Sequence, residues 1–557
     1  MRTIALIVSF ALFLPAQQQN FVSTVNPDSV PTFPSKAFIR QGFGRELPRV
    51  EIKAPVRLGD FVVDGKLELS LQRYLELVMA NNPDIQIQRL SVEQFKNAIT
   101  RSYGRFDPFI TSTFSSTRAK LPTNSILSGA NVSSTLVQPF NSQYNQIFEN
   151  GTQLSIGFGA TKTSTNDSFA TFNPNVVSGL RLGFSQPLLQ NRGTAVNKLQ
   201  IMVARSRLRQ GEYNLRDSLL GLIVQAEQAY WQVIQMRENL KVQEAALDVN
   251  GKLLKRNERE LELGAISALE IYQPKQVYAQ AEVQVTVARY NLQQAEDVLR
   301  RQFGADVDVD YRNMPIILTE NVSPPEDDRP LDKELYVETA FRMRPDLKSQ
   351  LQFLDIDDLN YKQAKNTLTP DLSLTGLYTG NGRGGNFIPR TNDLGSGVTI
   401  ASQLVPGGIG DALNQVFAFN FPTYNMGLSL RLPLRNRAGQ ADLADAVLNK
   451  RIDTLRARAL EQNIRRDVLN AVTRVESSRA AIRQSQIAVN FAQQRLEAEE
   501  KRYNLGVSTI FFVLQATTDL FNSQSSLVVQ SVQYRRDLLN LMRMTGTLLD
   551  DRGIIVN

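Results

Sequence analysis

The sequence predicts a mainly α-helical fold, built from long hairpins laid down twice, with a smaller antiparallel β part inserted at the same point of each half. Three observations predict it. Apolar seams with 3,4 spacing run for almost 70 residues without a proline, two charge-poor aromatic blocks have an apolar period of two, and an internal repeat carries helix, block and helix twice in one order.

The N-terminus opens with Arg2, an apolar run from Ile4 to Leu14, then Pro15 and Ala16, the charged, hydrophobic and small-residue order of a secretory leader over 1–16. Eleven apolar residues are too few to cross a bilayer as a helix, and no later segment reaches 18, so a membrane role must fall to strands. Residues 17–66 carry Pro27, Pro31, Pro34, Pro48 and Pro55 with no helical period and read as an extended arm.

The first repeat spans 67–304. A helix is expected from Glu68 to Gly104, then a strand block over 106–190, where only 7 of 85 residues are charged. Within it Leu154, Ile156 and Phe158, and again Leu180, Leu182 and Phe184, alternate with small or polar residues, the pattern of strands with one apolar face. Glycine-rich stretches such as Gly380–Gly385 in the second block read as long loops. A long helix follows, with Leu219, Leu222, Ala226, Ala229, Val233, Met236 and Leu240 as its seam; Leu263-Gly264 then turns the chain into a returning helix from Ser267 to Phe303.

Residues 305–330 read as a linker, with prolines and acids from Pro324 to Pro330, and the second repeat covers 331–548. Asn82-Pro83-Asp84 recurs as Arg344-Pro345-Asp346, Asp107-Pro108 as Thr369-Pro370, Pro187-Leu188 as Pro433-Leu434, and Leu263-Gly264 as Leu505-Gly506. Its strands are expected over 371–434, including Leu428, Leu430, Leu432 and Leu434. Its long helix has the seam Val468, Ala471, Val475, Ser478, Ile482, Ser485, Val489, Ala492, Leu496. Each long stretch would reach roughly 100 Å, farther than a globular core needs. Residues 549–557 form a C-terminal tail.

Composition removes whole classes of chemistry. With no Cys and no His there is no thiolate nucleophile, no imidazole base and no zinc site built on either, and no cofactor is expected. A net charge of +7 without a clustered basic stripe argues against nucleic acid. The adjacent carboxylates Asp327-Asp328, Asp357-Asp358 and Glu499-Glu500 are poor catalytic pairs, because neighbours in a helix do not face one another. No nucleotide-binding fingerprint is present, so any driving energy must come from a partner.

The paired units, the Gln186-Pro187-Leu188-Leu189 and Leu432-Pro433-Leu434 starts of the long helices, and the returns around Leu263-Gly264 and Leu505-Gly506 resemble the TolC family of outer-membrane efflux channels over about Leu67–Leu548. The resemblance implies a homotrimer in outer-membrane lipid, with a trimeric transmembrane β-barrel and a periplasmic α-barrel tunnel. It would be a non-enzymatic exit duct for efflux or type I secretion, working with a periplasmic adaptor and an inner-membrane pump. Lacking a cysteine to acylate, the chain falls in the unlipidated branch. Physics points the same way: about two to four membrane-length strands in the first block and two in the second cannot close a barrel of at least eight. The family pattern is four strands per chain. Whether the extra strands near Val132–Gln138 and Gly151–Thr163 join the wall or form an extracellular hairpin stays open at this stage.

The resemblance also implies roles for residues at the periplasmic end. Leu263, Gly264, Ser267, Leu505, Gly506 and Ser508 would form adaptor-contact tips, and Glu270, Tyr503, Phe512 and Gln515 the pore entrance. Two acidic ring positions of the best-known members fall on Phe512 and Gln515, so a constriction at Phe512 would gate by dewetting rather than by charge. The alternative function class is a secreted structural coiled coil or adhesin without a pore, and it leaves the two strand blocks unexplained.

Overall fold

The computed structural model describes residues 33–43, 58–122, 131–168, 170–264, 266–321, 331–392, 399–401 and 404–554. The expected leader, most of the arm and the stretch Pro324–Pro330 lie outside the described residues. Residues up to Ala54 form a unit of their own. In it α1 (Lys36–Phe43) is helical where an extended arm is expected, since the segment between Pro34 and Pro48 is free of proline and Ser35 Oγ accepts from Phe38 N at 3.1 Å to start the helix.

The unit from Pro55 onward opens with β1 (Val62–Val63) and β2 (Lys66–Leu69). The single helix expected over Glu68–Gly104 is two, α2 (Leu71–Asn81) and α3 (Pro83–Tyr103). Pro83 has no N–H to continue the ladder, and Asn82 restarts it: its Oδ1 accepts from Asp84 N at 2.9 Å while its Nδ2 donates to Gln302 O at 2.9 Å.

Five strands follow: β3 (Phe109–Phe114), β4 (Thr117–Pro122), β5 (Val132–Ile147), β6 (Gln153–Thr165) and β7 (Phe172–Pro187). The first long helix, α4 (Leu199–Glu262), and the returning α5 (Tyr272–Gln302) complete the first half. Between the halves, β8 (Ile316–Leu318) pairs in parallel with β2, so the expected linker contributes a sheet strand. The second half holds α6 (Lys333–Met343), α7 (Pro345–Thr367), β9 (Asp371–Phe387), α8 (Ile409–Phe417), β10 (Pro422–Arg431), the second long helix α9 (Arg437–Asn504) and the returning α10 (Ile510–Thr545).

The large sheet is antiparallel throughout, in the order β10-β9-β7-β6-β5-β3, with β4 continuing β3 along the same edge of β5. Gly380–Gly385, expected as a loop, lies inside β9. The glycines are there because α8 packs on them: a Cβ on Gly382 would stand 2.0 Å from Ala412 O, and one on Gly384 2.1 Å from Gly408 O. Leu432 and Leu434 fall beyond the end of β10 at Arg431, just where Pro433 removes a ladder donor.

The helices pack through the predicted seams: Leu219, Ala226, Ala229 and Val233 are buried on α4, and Val468, Ala471, Val475, Ser478, Ile482 and Leu496 on α9. The largest core gathers beside β2 and β8, where Tyr74 lies 5.4 Å from Tyr230 and 6.0 Å from Phe303, ring to ring. Both phenols are satisfied, Tyr74 donating to Ala226 O at 3.0 Å and Tyr230 to Leu69 O at 3.2 Å.

One buried carboxyl breaks the apolar pattern. Asp357 on α7 is 8% exposed, with Asp453 of α9 across the seam; Asp358 turns away to Lys450 at 2.5 Å. Burial, then Asp453, pushes the Asp357 carboxyl up to about 6. A carboxyl raised in the folded state is most favourable below the unfolded value near 3.9, and its contribution is lost as pH rises through about 6. Asp357→Asn should therefore raise the melting midpoint at pH 7.5 by about 1–2 °C and flatten its pH dependence between about 4 and 6, read by circular dichroism.

Candidate functional site

Registers assign each strand residue of the sheet to a face. One row of direct partners runs Tyr424, Tyr378, Leu182, Ile156, Tyr144, Ile110, from β10 to β3. The adjacent row on the other face runs Thr423, Thr379, Arg181, Gly157, Gln143, Thr111. The sheet is thus apolar on one side and polar on the other, the alternation of a wall between lipid and water. Leu372, Leu374, Met426, Leu428 and Leu430 extend the apolar face, and Ser155, Asn141, Asn381 and Thr161 the polar one. Both outer edges, the far side of β10 and that of β3 and β4, lack a strand partner among the described residues.

The long helices leave from one end of this sheet. Leu188 N donates to Leu372 O at 2.7 Å, fixing the strand-to-helix junctions of the two halves to one another. From there α4 runs 64 residues, roughly 95 Å, to its turn.

At the far end the two turns have the same construction. Gly264 (φ +70°) and Gly506 (φ +73°) take the left-handed conformation that ends a helix, and Gly264 N donates to Leu261 O and Gly506 N to Tyr503 O, both at 2.9 Å. Leu263 is 82% and Leu505 78% exposed, so each tip presents an unpacked leucine. Ser267 begins no helix; its Oγ accepts from Leu269 N at 3.3 Å, and α5 starts only at Tyr272. Ser508 Oγ donates to Glu499 Oε2 at 3.1 Å, and Arg502 holds the other oxygen of that carboxylate at 2.9 Å. Glu499-Glu500 therefore splits, as the helix period requires.

Tyr503 bridges the halves. Its hydroxyl donates to Glu260 Oε2 of α4 at 2.6 Å, beside Asn257, while Arg256 stacks over its ring at 5.0 Å and holds Glu260 Oε1 at 2.9 Å. Burial and the Glu260 carboxylate push the phenol up to about 12, so it stays a donor across the physiological range. Phe512 and Gln515 are exposed one turn apart on α10, with Phe511 against Phe512 at 5.3 Å, ring to ring; Glu270 is exposed beyond the first turn. The structure brings Tyr503 together with Arg256, Asn257 and Glu260, which sequence reading missed. Their signal is faint: Glu260 precedes Gly264 by four residues, where the second half has Arg502 before Gly506. Among the described residues no group of three acidic side chains could hold a metal.

A model of the family described as outer membrane efflux protein matches residues 74–305 and 337–547. The chain is 22% identical to Outer membrane protein TolC of Vibrio cholerae, across 68% of this chain and 78% of that one. It is also 22% identical to the pyoverdine export outer membrane protein OpmQ of Pseudomonas aeruginosa, across 66% and 69%. In solved structures the fold recurs in CusC, with a TM-score of 0.61, 16% identity and coverage of 89% and 95%. It recurs too in the CmeC outer membrane channel of Campylobacter jejuni, with a TM-score of 0.59, 17% identity and coverage of 90% and 94%.

The turn geometry makes a local prediction. An added Cβ on Gly506 meets nothing within 4 Å, so Gly506→Ala pays only for the left-handed backbone, about 1 kcal/mol. Hydrogen exchange at the Tyr503–Ser508 amides should quicken roughly fivefold. Gly410→Ala, also in open space but inside α8, should have the opposite sign there.

Proposed function

The chain belongs to the outer membrane efflux protein family, and from that membership we propose that three copies close one passive exit duct across the outer membrane and the periplasm, fed by a pump through an adaptor. It is an outer-membrane protein reaching into the periplasm. One observation carries the proposal: a sheet apolar on one face and polar on the other, open at both edges, grows directly into helical hairpins about 95 Å long. A single copy has too few strands to close, so copies must complete the wall.

In this reading the polar sheet face lines the passage, and the tips at Leu263, Gly264, Ser267, Leu505, Gly506 and Ser508 receive the adaptor. The exposed leucines support a protein contact there, being apolar surface left uncovered by the described residues. Glu270, Tyr503, Phe512 and Gln515 line the periplasmic entrance. With phenylalanine and glutamine in place of acidic groups, the constriction excludes water by apolar surface and selects weakly among ions. A secreted coiled coil or adhesin gives no account of a strand wall with a continuous apolar row.

Light scattering on protein extracted from outer membranes should give a detergent-corrected mass of three chains; a water-soluble monomer or dimer would overturn the duct. In planar bilayers Phe512→Asp should shift the reversal potential toward cation selectivity, and an unchanged potential would remove Phe512 from the passage.

A further inference from the structure

We infer that the hairpin β5–β6 is part of the membrane wall, so that each copy contributes six strands and three copies close an eighteen-stranded barrel. The inference rests on the duct reading above and fixes what that reading leaves open: how many strands build the wall, and which edges of two copies meet.

The first support is the direction in which the hairpin turns. A flap on the outer surface would have its turn at the end of the sheet remote from the helices. The turn of β5–β6, Phe148–Thr152, lies instead where the long helices begin. Glu149 pairs with Lys198 at 2.5 Å, and Gly193 N donates to Asn150 O at 3.2 Å. Thr152 Oγ1 hydrogen-bonds Gln186 of β7. Gly151 (φ +92°) is wedged so tightly that a Cβ would stand 2.7 Å from Asn191 O and 2.8 Å from Asn197 Nδ2. The hairpin therefore spans the sheet from end to end, and its 16- and 13-residue strands exceed the roughly 9–11 that cross a bilayer.

The second support is the pattern of faces. Leu154, Ile156, Phe158 and Ala160 of β6 continue the apolar face of β7, and Leu136, Phe140 and Tyr144 carry it onto β5, alternating there with Gln138, Ser142 and Gln146. Opposite them Ser155, Gly157, Gly159, Thr161, Asn141 and Gln143 continue the polar face. A hairpin wetted on both sides has no reason to keep the alternation in phase with its neighbours.

The count is also one that can close, as any even number is. With six strands the two outer ones run in opposite directions, so β10 of one copy meets the edge formed by β3 and β4 of the next as an antiparallel pair. Repeated by rotation, that head-to-tail contact closes a ring and leaves no edge in lipid. Barrel diameter grows about in proportion to strand number, so eighteen strands make a mouth roughly half again as wide as the twelve of four strands per chain. Barrels of this size hold an aqueous channel.

The chain has no cysteine, so single introduced thiols report unambiguously. Ile156→Cys and Tyr144→Cys on the apolar face, Ser155→Cys and Gln143→Cys on the polar face, and Leu428→Cys on β10 would each carry a small fluorophore. The labelled trimers are reconstituted in phosphatidylcholine vesicles. Positions 156 and 144 should be quenched by doxyl-labelled lipid and shielded several-fold from aqueous iodide, with 155 and 143 behaving oppositely. Iodide quenching at all four hairpin positions, with lipid quenching kept at 428, would overturn the six-strand wall and leave the duct standing. Loss of lipid quenching at 428 as well would bring down both. Separately, Asn425→Cys combined in turn with Thr111→Cys, Thr113→Cys and Thr117→Cys should oxidise to a covalent trimer ladder in at least one pairing. No ladder in any pairing would overturn the proposed seam.

Discussion

Inside a bilayer each backbone N–H or C=O without a partner costs several kcal/mol, and the β part of this chain is arranged around that cost. Interior strands of the large sheet satisfy one another in unbroken antiparallel registers, but the outer rows of β10 and of β3 with β4 do not. The large sheet is therefore an open arc, with both margins unpaired among the described residues. The composition follows from the same demand: the row of partners from Tyr424 to Ile110 carries no charge to be solvated, and the charges on that face, Lys162, Arg118 and Lys120, stand at the end of the sheet remote from the long helices.

The helical part answers a different constraint, reach. A hairpin near 95 Å cannot rely on a compact core, and burial is spread along seams instead, with alanine and serine setting a close helix approach. The two halves are then tied at separate levels. Near the sheet Asn366 bonds Asn191 at 2.9 Å; further along Ser349 bonds Asn214 at 2.7 Å; at the tip Tyr503 bonds Glu260. Each tie is a short-range polar contact between residues more than a hundred positions apart, holding the duplicated halves in one register.

Periodicity, repeat and turn glycines made the helices, the order of elements and both tips legible before any coordinates. Other features were not. Gly380–Gly385 read as loop because glycine is a turn former in isolation; only the helix lying on β9 reveals that the missing side chains are clearance. The break at Asn82-Pro83 was visible as a motif, but its meaning as a cap bonded to Gln302 depends on a contact across the fold. The Arg256–Glu260–Tyr503 cluster escaped because its members belong to different repeats and do not stand at equivalent positions. The strand number stayed open because amphipathic alternation assigns faces, not the end of the sheet at which a hairpin turns.

β9 outruns β10 by several residues, and along that overhang Gln415 takes the role of an absent strand: Arg383 N donates to its Oε1 and its Nε2 donates to Arg383 O, each at 3.0 Å. A strand arriving from elsewhere finds the Arg383 backbone groups already paired, as it does those of Phe387, which exchanges hydrogen bonds with Val405 at 2.9 Å. The margins left without a strand partner among the described residues are then the far side of β10 and that of β3 with β4. A single glutamine side chain thereby stands in for strand backbone and guards one stretch of sheet edge against stray pairing.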